Sequence, residues 1–112
     1  MKILDYKEIE NLIFNEEGAD KVNIRWLIGE KDNPPHFYLR MIEIGPGGHT
    51  PYHNHSKEHE VFVLEGEGKI IDQEGNEHTL REGTVVYVPA MEKHQFRNDG
   101  KKTFRFLCII PK

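Results

Sequence analysis

Seven histidines stand in a chain of 112 residues, and three of them crowd into seven positions. The segment reads Gly47-Gly48-His49-Thr50-Pro51-Tyr52-His53-Asn54-His55-Ser56-Lys57-Glu58-His59-Glu60. His53 and His55 are two apart, so in extended chain both imidazoles fall on one face. His59 opens the run His59-Glu60-Val61-Phe62-Val63-Leu64. There His59, Val61 and Val63 share one face, and Glu60, Phe62 and Leu64 share the other. His94 stands five residues after Pro89, at the start of a further strand-like run. A lone His-x-His is more often a pair of surface histidines. Three close together with a fourth on another strand suit a divalent transition metal, for which neutral imidazole is the commonest protein ligand.

Short strands must position these side chains. From Lys21 the apolar period is two, with Val22, Ile24, Trp26 and Ile28 alternating with their neighbours. The pattern predicts strands over His36–Ile44, Glu58–Leu64, Lys69–Asp72, Glu77–Leu80, Thr84–Val88, His94–Asn98 and Thr103–Ile110. Gly45-Pro46-Gly47-Gly48 reads as a loop, and Lys31-Asp32-Asn33-Pro34-Pro35 as a turn. Residues 1–20 read as an N-terminal arm. In it Asp5-Tyr6-Lys7-Glu8 fits a capping box, and Ile9, Leu12 and Ile13 have helical spacing up to Gly18. The expectation is eight to ten strands, almost no helix, and an all-β sandwich or barrel over residues 21–112.

Composition narrows the function. Lys+Arg is 15 and Asp+Glu is 19, a formal charge of −4, which argues against a nucleic-acid binder. No apolar run approaches the roughly 20 residues of a membrane helix. Charge interrupts the first eight residues too early for a secretory signal, so the expected setting is the cytoplasm. The single cysteine, Cys108, excludes an internal disulfide and any cysteine-based zinc finger.

The two histidine runs resemble the paired motifs of the cupin superfamily. The first motif is Gly, five residues, His-x-His, three or four residues, Glu, six residues, Gly. Here it reads Gly47, five residues, His53-Asn54-His55, three residues, His59, six residues, Gly66. The second is Gly, five residues, Pro-x-Gly, two residues, His, three residues, Asn. Here it reads Gly83, five residues, Pro89-Ala90-Met91, two residues, His94, three residues, Asn98. Met91 replaces a glycine and suggests a different turn before His94. A histidine occupies the usual glutamate position: counting back from Gly66 selects His59, and counting forward from His55 also admits Glu60. Strand phase favours His59 and turns Glu60 outward.

The resemblance implies a double-stranded β-helix, or jelly-roll barrel, like the small single-domain cupins with four-histidine sites. The implied ligands are His53, His55, His59 and His94. Cupins of this kind suggest manganese or iron, whereas imidazole chemistry alone favours iron, nickel, copper or zinc. Four neutral ligands would leave an octahedral ion two open positions, an arrangement suited to catalysis.

Strand phase also predicts the pocket. Arg105 makes its own face of the last strand a poor lining, so Phe106 and Cys108 should point inward. Phe96 shares a face with His94. Each of the three also reads as plain core. His36, His49 and His78 do not fit the ligand spacing. Arg40 reads as an exposed or interface charge, with binding of an anionic substrate as the alternative. The expected function is a metal-dependent oxidoreductase of dioxygenase type acting on a small organic molecule. The alternatives are an isomerase or lyase using the metal as Lewis acid, and a binding module without turnover. A homodimer is expected: Phe62 and Leu64 form an outward apolar set, the arm at residues 1–20 and the strand around Trp26 could pair across a two-fold axis, and the resemblance implies pairing by sheets.

Overall fold

The structure is a computed structural model and describes residues 1–112. Its strands are β1 (Leu12–Ile13), β2 (Asp20–Ile28), β3 (Phe37–His49), β4 (His59–Glu65), β5 (Gly68–Ile71), β6 (Glu77–Leu80), β7 (Val85–Val88), β8 (Gln95–Arg97) and β9 (Phe104–Pro111). They form one antiparallel sheet in the order β6-β5-β8-β3-β9-β4-β7, with β2 also on β3 and β1 on β2. The sheet curls around its apolar face, giving the all-β barrel that the strand pattern predicts. Helix is confined to two three-residue 3-10 turns, Tyr6–Glu8 and Glu30–Asp32. No helix is long and apolar enough to cross a membrane.

The period of two explains which face is buried. In β4, His59, Val61 and Val63 are buried while Glu60, Phe62 and Leu64 are exposed. In β9, Phe104, Phe106, Cys108 and Ile110 are buried. Register then stacks the inward sets: Ile44 lies opposite Phe104, Ile42 and Val63 opposite Phe106, and Val61 opposite Cys108. With Val22, Ile24, Ile70, Leu80, Val88 and Phe96 these residues make one core. Gly68 is required for it, because a Cβ there would sit 2.4 Å from the Phe104 ring.

Two expectations are corrected. The arm contains no α-helix. The Asp5–Glu8 capping box does form, but it closes only a 3-10 turn. Leu12 and Ile13 then pair as strand with Ile24 and Asn23 of β2. Their helical spacing finds no core to face, and Ile13 stays 78% exposed. Likewise Gly45–Gly48 is not a loop: β3 runs through it to His49, with Gly47 at φ 78° allowing the bend.

Asn98 locks this bend in place. Its backbone exchanges hydrogen bonds with Gly47 and Gly48. Its fully buried side chain donates from Nδ2 to Ile44 O at 2.8 Å and to Lys102 O at 2.7 Å, and its Oδ1 accepts from Gly100 N. Asn98→Ala orphans these groups, each worth roughly 1–3 kcal/mol when buried. The expected loss of unfolding free energy is therefore about 3 kcal/mol, measured by urea denaturation.

Candidate metal centre

A backbone bridge brings the histidines together. His53 N–H donates to His94 O at 3.1 Å, and His94 N–H donates to His53 O at 3.0 Å. Beyond it, Met91 N–H donates to His55 O at 2.8 Å. The expectation of a different turn at Met91 is corrected here. Met91 takes φ 70°, the left-handed backbone that glycine favours, at a cost of about 1–2 kcal/mol.

The imidazoles of His53, His55, His59 and His94 form one cluster. Ring centroids are 5.0 Å apart for His53–His55, 5.8 Å for His53–His94 and 5.3 Å for His55–His94. The His59 ring lies 4.2 Å from that of His55 and 5.3 Å from that of His94. Glu60 pairs with Tyr87 and is exposed. His36 is exposed, His78 pairs with Asp72 on the surface, and His49 contacts the Thr50 carbonyl, all apart from the cluster.

Hydrogen bonds sort the four by tautomer. Nδ1 of His55 lies 2.9 Å from Lys57 O, and Nδ1 of His94 lies 2.9 Å from Glu92 O. A carbonyl only accepts, so each Nδ1 carries the proton and each Nε2 keeps a free lone pair. Nδ1 of His53 lies 3.4 Å from Glu16 Oε1, which favours the same tautomer. One ligating nitrogen from each of His53, His55 and His94 lies within 4.8 Å of the others. This donor set fits a divalent transition ion.

His59 is held differently. Its Nδ1 is 3.1 Å from Arg40 Nη2 and 3.2 Å from Cys108 Sγ, and its Nε2 is 2.6 Å from His55 Nε2. A guanidinium only donates, so Nδ1 accepts and the proton on Nε2 faces the His55 lone pair. The four expected ligands thus resolve into three convergent histidines and a fourth hydrogen-bonded to one of them, His55. To ligate through Nε2, His59 would carry its proton on Nδ1, with Cys108 Sγ as acceptor and the Arg40 Nη2 donor no longer bonded to that nitrogen.

The cluster opens into a cavity of about 370 Å³. Phe96, Phe106 and Cys108 line it as strand phase predicts, with Phe14, Val22 and Ile42. Phe96 and Phe106 stack at 4.6 Å, so the wall is also core. Arg40, read above first as an exposed or interface charge and alternatively as a residue for an anionic substrate, lines the cavity. The signal was available: Arg40 lies two residues before Ile42 and four before Ile44, on their face of β3, directly opposite Cys108 of β9.

Residues 40–110 match the Cupin domain family. The chain belongs to the cupin family. Among solved cupin-like structures, the polyketide cyclase RemF from Streptomyces resistomycificus is 33% identical, spans 99% of this chain and 79% of its own, and superposes with a TM-score of 0.94. The oxalate-binding protein of Thermotoga maritima is 28% identical over 96 residues, covering 83% of this cupin and 78% of that protein. The glucose-6-phosphate isomerase of Pyrococcus abyssi is 34% identical over 119 residues, covering 96% of this cupin and 63% of the isomerase. This cupin spans about half the length of several curated relatives, between 43% and 48% of three of them.

Burial disfavours the charged form of three of this cupin's imidazoles, His55, His59 and His94. Desolvation first, and then the Arg40 charge, push the His59 imidazole down to about 2. Desolvation also lowers His55 and His94. In the unfolded chain these histidines protonate near their usual pKa of about 6.5. Below that pH the unfolded state therefore binds more protons than the folded one, and stability falls as pH falls. For the metal-free protein, the urea midpoint should be steady above about pH 7.5 and drop progressively toward about pH 5. His59→Gln should flatten the drop.

Proposed function

We propose that this cupin is a divalent-metal enzyme acting on a small organic molecule bound in the cavity, with the ion held by His53, His55 and His94 and completed by His59. The observation that carries this reading is the tautomer pattern: the Nδ1 atoms of His55 and His94 face backbone carbonyls, leaving Nε2 lone pairs toward a common centre. A divalent ion bound there supplies Lewis-acid polarisation of a carbonyl and lowers the pKa of coordinated water. The protein contributes neutral ligands, a fixed geometry and a mostly apolar wall that excludes water.

Manganese or iron is the first candidate from the resemblance, and zinc, nickel or copper from ligand chemistry. Non-redox activation of an enolisable substrate is supported by relatives named for cyclisation and isomerisation. The dioxygenase reading would use the same residues and the same apolar wall, and oxygen consumption separates the two. Purified protein should contain one divalent ion per chain by elemental analysis. His53→Ala, His55→Ala and His94→Ala should each reduce occupancy at least tenfold (about 1.4 kcal/mol or more). His59→Ala should weaken it, and Glu60→Ala should leave it unchanged. Turnover of enolisable and phenolic substrates is then compared with and without oxygen. Oxygen-independent turnover supports Lewis-acid chemistry, oxygen uptake supports the dioxygenase, and absence of metal removes both.

We also propose that the second copy of this chain covers the outward face of β4, β7 and β9. Phe62, Val85, Tyr87 and Ile109 are 45%, 73%, 59% and 37% exposed there, next to Leu39 and Leu107. Sedimentation should show a dimer at micromolar concentration, and Phe62→Glu should shift it toward monomer.

A further inference from the structure

Arg40 stands out electrostatically. The chain has five arginines. Arg25, Arg81, Arg97 and Arg105 each pair with a carboxylate. Arg40 pairs with none, although it alone among them faces the cavity. Its Nη2 donates to Cys108 Sγ at 2.9 Å and lies 3.1 Å from His59 Nδ1, both uncharged partners. Its Nε is buried without any acceptor, and no protein acceptor meets Nη1.

A half-buried guanidinium without a counter-ion is costly to hold, since the surrounding protein returns little of the solvation it has lost. Its position is nonetheless fixed. The guanidinium lies 5.7 Å from the centre of the Trp26 ring, and β9 and β4 hold Cys108 and His59 against its other side. The only carboxylate on the cavity lining, Glu16, is directed at His53. Lys57 lines only the exposed mouth, so Arg40 is the one formally charged side chain of the inner lining, and it is positive.

We infer that Arg40 recognises the carboxylate of the cavity's ligand, which is therefore a small organic acid with an apolar body. The inference deepens the proposed function by naming its substrate class, but its main observation, a cavity-facing arginine without a counter-ion, does not depend on the metal. Planar guanidinium donors match a carboxylate. The wall formed by Val22, Ile42, Phe96 and Phe106 matches the rest of such a molecule better than it matches a bare inorganic anion.

The test uses benzoate and benzamide, which share a shape and differ in charge. Each is titrated calorimetrically into the full-length chain, both metal-free and metal-loaded, as wild type, Arg40→Lys and Arg40→Gln. Wild type should prefer benzoate by about tenfold or more in both forms. In the metal-free form, where no ion competes for the carboxylate, Arg40→Gln should lose that preference and Arg40→Lys should keep part of it, with unchanged far-UV circular dichroism. Equal affinity for acid and amide in wild type would overturn the inference. So would undiminished benzoate binding by metal-free Arg40→Gln, or inorganic phosphate binding more tightly than benzoate. A wild-type chain that takes up no metal but shows the Arg40-dependent preference would remove the proposed function and support this inference. Metal uptake and turnover without the preference would do the reverse.

Discussion

One antiparallel seam holds the site together. It runs from Asn98 with Gly47 and Gly48, through Arg97 with His49 and Phe96 with Thr50, to His94 with His53 and Met91 with His55. Thr50 reinforces it from both sides: its Oγ1 accepts from Phe96 N and its carbonyl accepts from Gln95 Nε2. Because side chains alternate along such a seam, fixing one pair fixes the facing of the rest. His53, His94 and Phe96 reach the cavity from two segments distant in sequence. The buried Asn98 at one end and the left-handed Met91 at the other are the costs and controls of that alignment. A histidine cluster is hard to hold by side-chain packing alone, since each ring has two polar nitrogens that need partners. Here the backbone supplies the partner for Nδ1 of His55 and of His94.

Burial and hydrogen bonding act together on these rings. Desolvation disfavours the imidazolium, and carbonyl acceptors at Nδ1 select which nitrogen is left free. His59 sits beside Arg40, and its tautomer is set by a donor where the others are set by acceptors. The cluster therefore has two parts. Three rings are ready to donate lone pairs, while the fourth is coupled to an arginine and a thiol. That coupling links the charge that faces the ligand to the geometry of the proposed ion site.

Much of this was legible in the sequence because it follows from a period of two. The inward set of β9, the outward Glu60 and the wall residues Phe96, Phe106 and Cys108 come from alternation, with Arg105 deciding the phase of its strand. The histidine spacing identified the cluster. What was not legible depends on distant partners. Gly45–Gly48 has loop composition, yet it remains strand because Asn98 exchanges hydrogen bonds with Gly47 and Gly48, and Asp20 pairs with His49 at its end. Leu12 and Ile13 have helical spacing, yet an open edge of β2 captures them. Arg40 looked exposed because charge usually is, and only carrying the phase back from Ile42 and Ile44 would have turned it inward. The tautomer of His59 required knowing that Cys108 stands on the neighbouring β9 and Arg40 on β3 beyond it.

The cavity wall and the barrel core are the same side chains, and this limits how the site can vary. Phe106 lies opposite both Ile42 and Val63 and stacks on Phe96. Truncating such a residue costs about 3–5 kcal/mol, against a total stability of about 5–15 kcal/mol for a typical domain. Ligand selectivity cannot be adjusted freely at the bottom of the pocket. The mouth is different: Glu16, Ser56 and Lys57 line the cavity from exposed segments, and changing them removes little packing. Related chains that keep the same barrel and histidines can therefore diverge in what they accept by altering the rim. In this chain the deep wall and Arg40 carry the proposed selection for an apolar body and a negative charge.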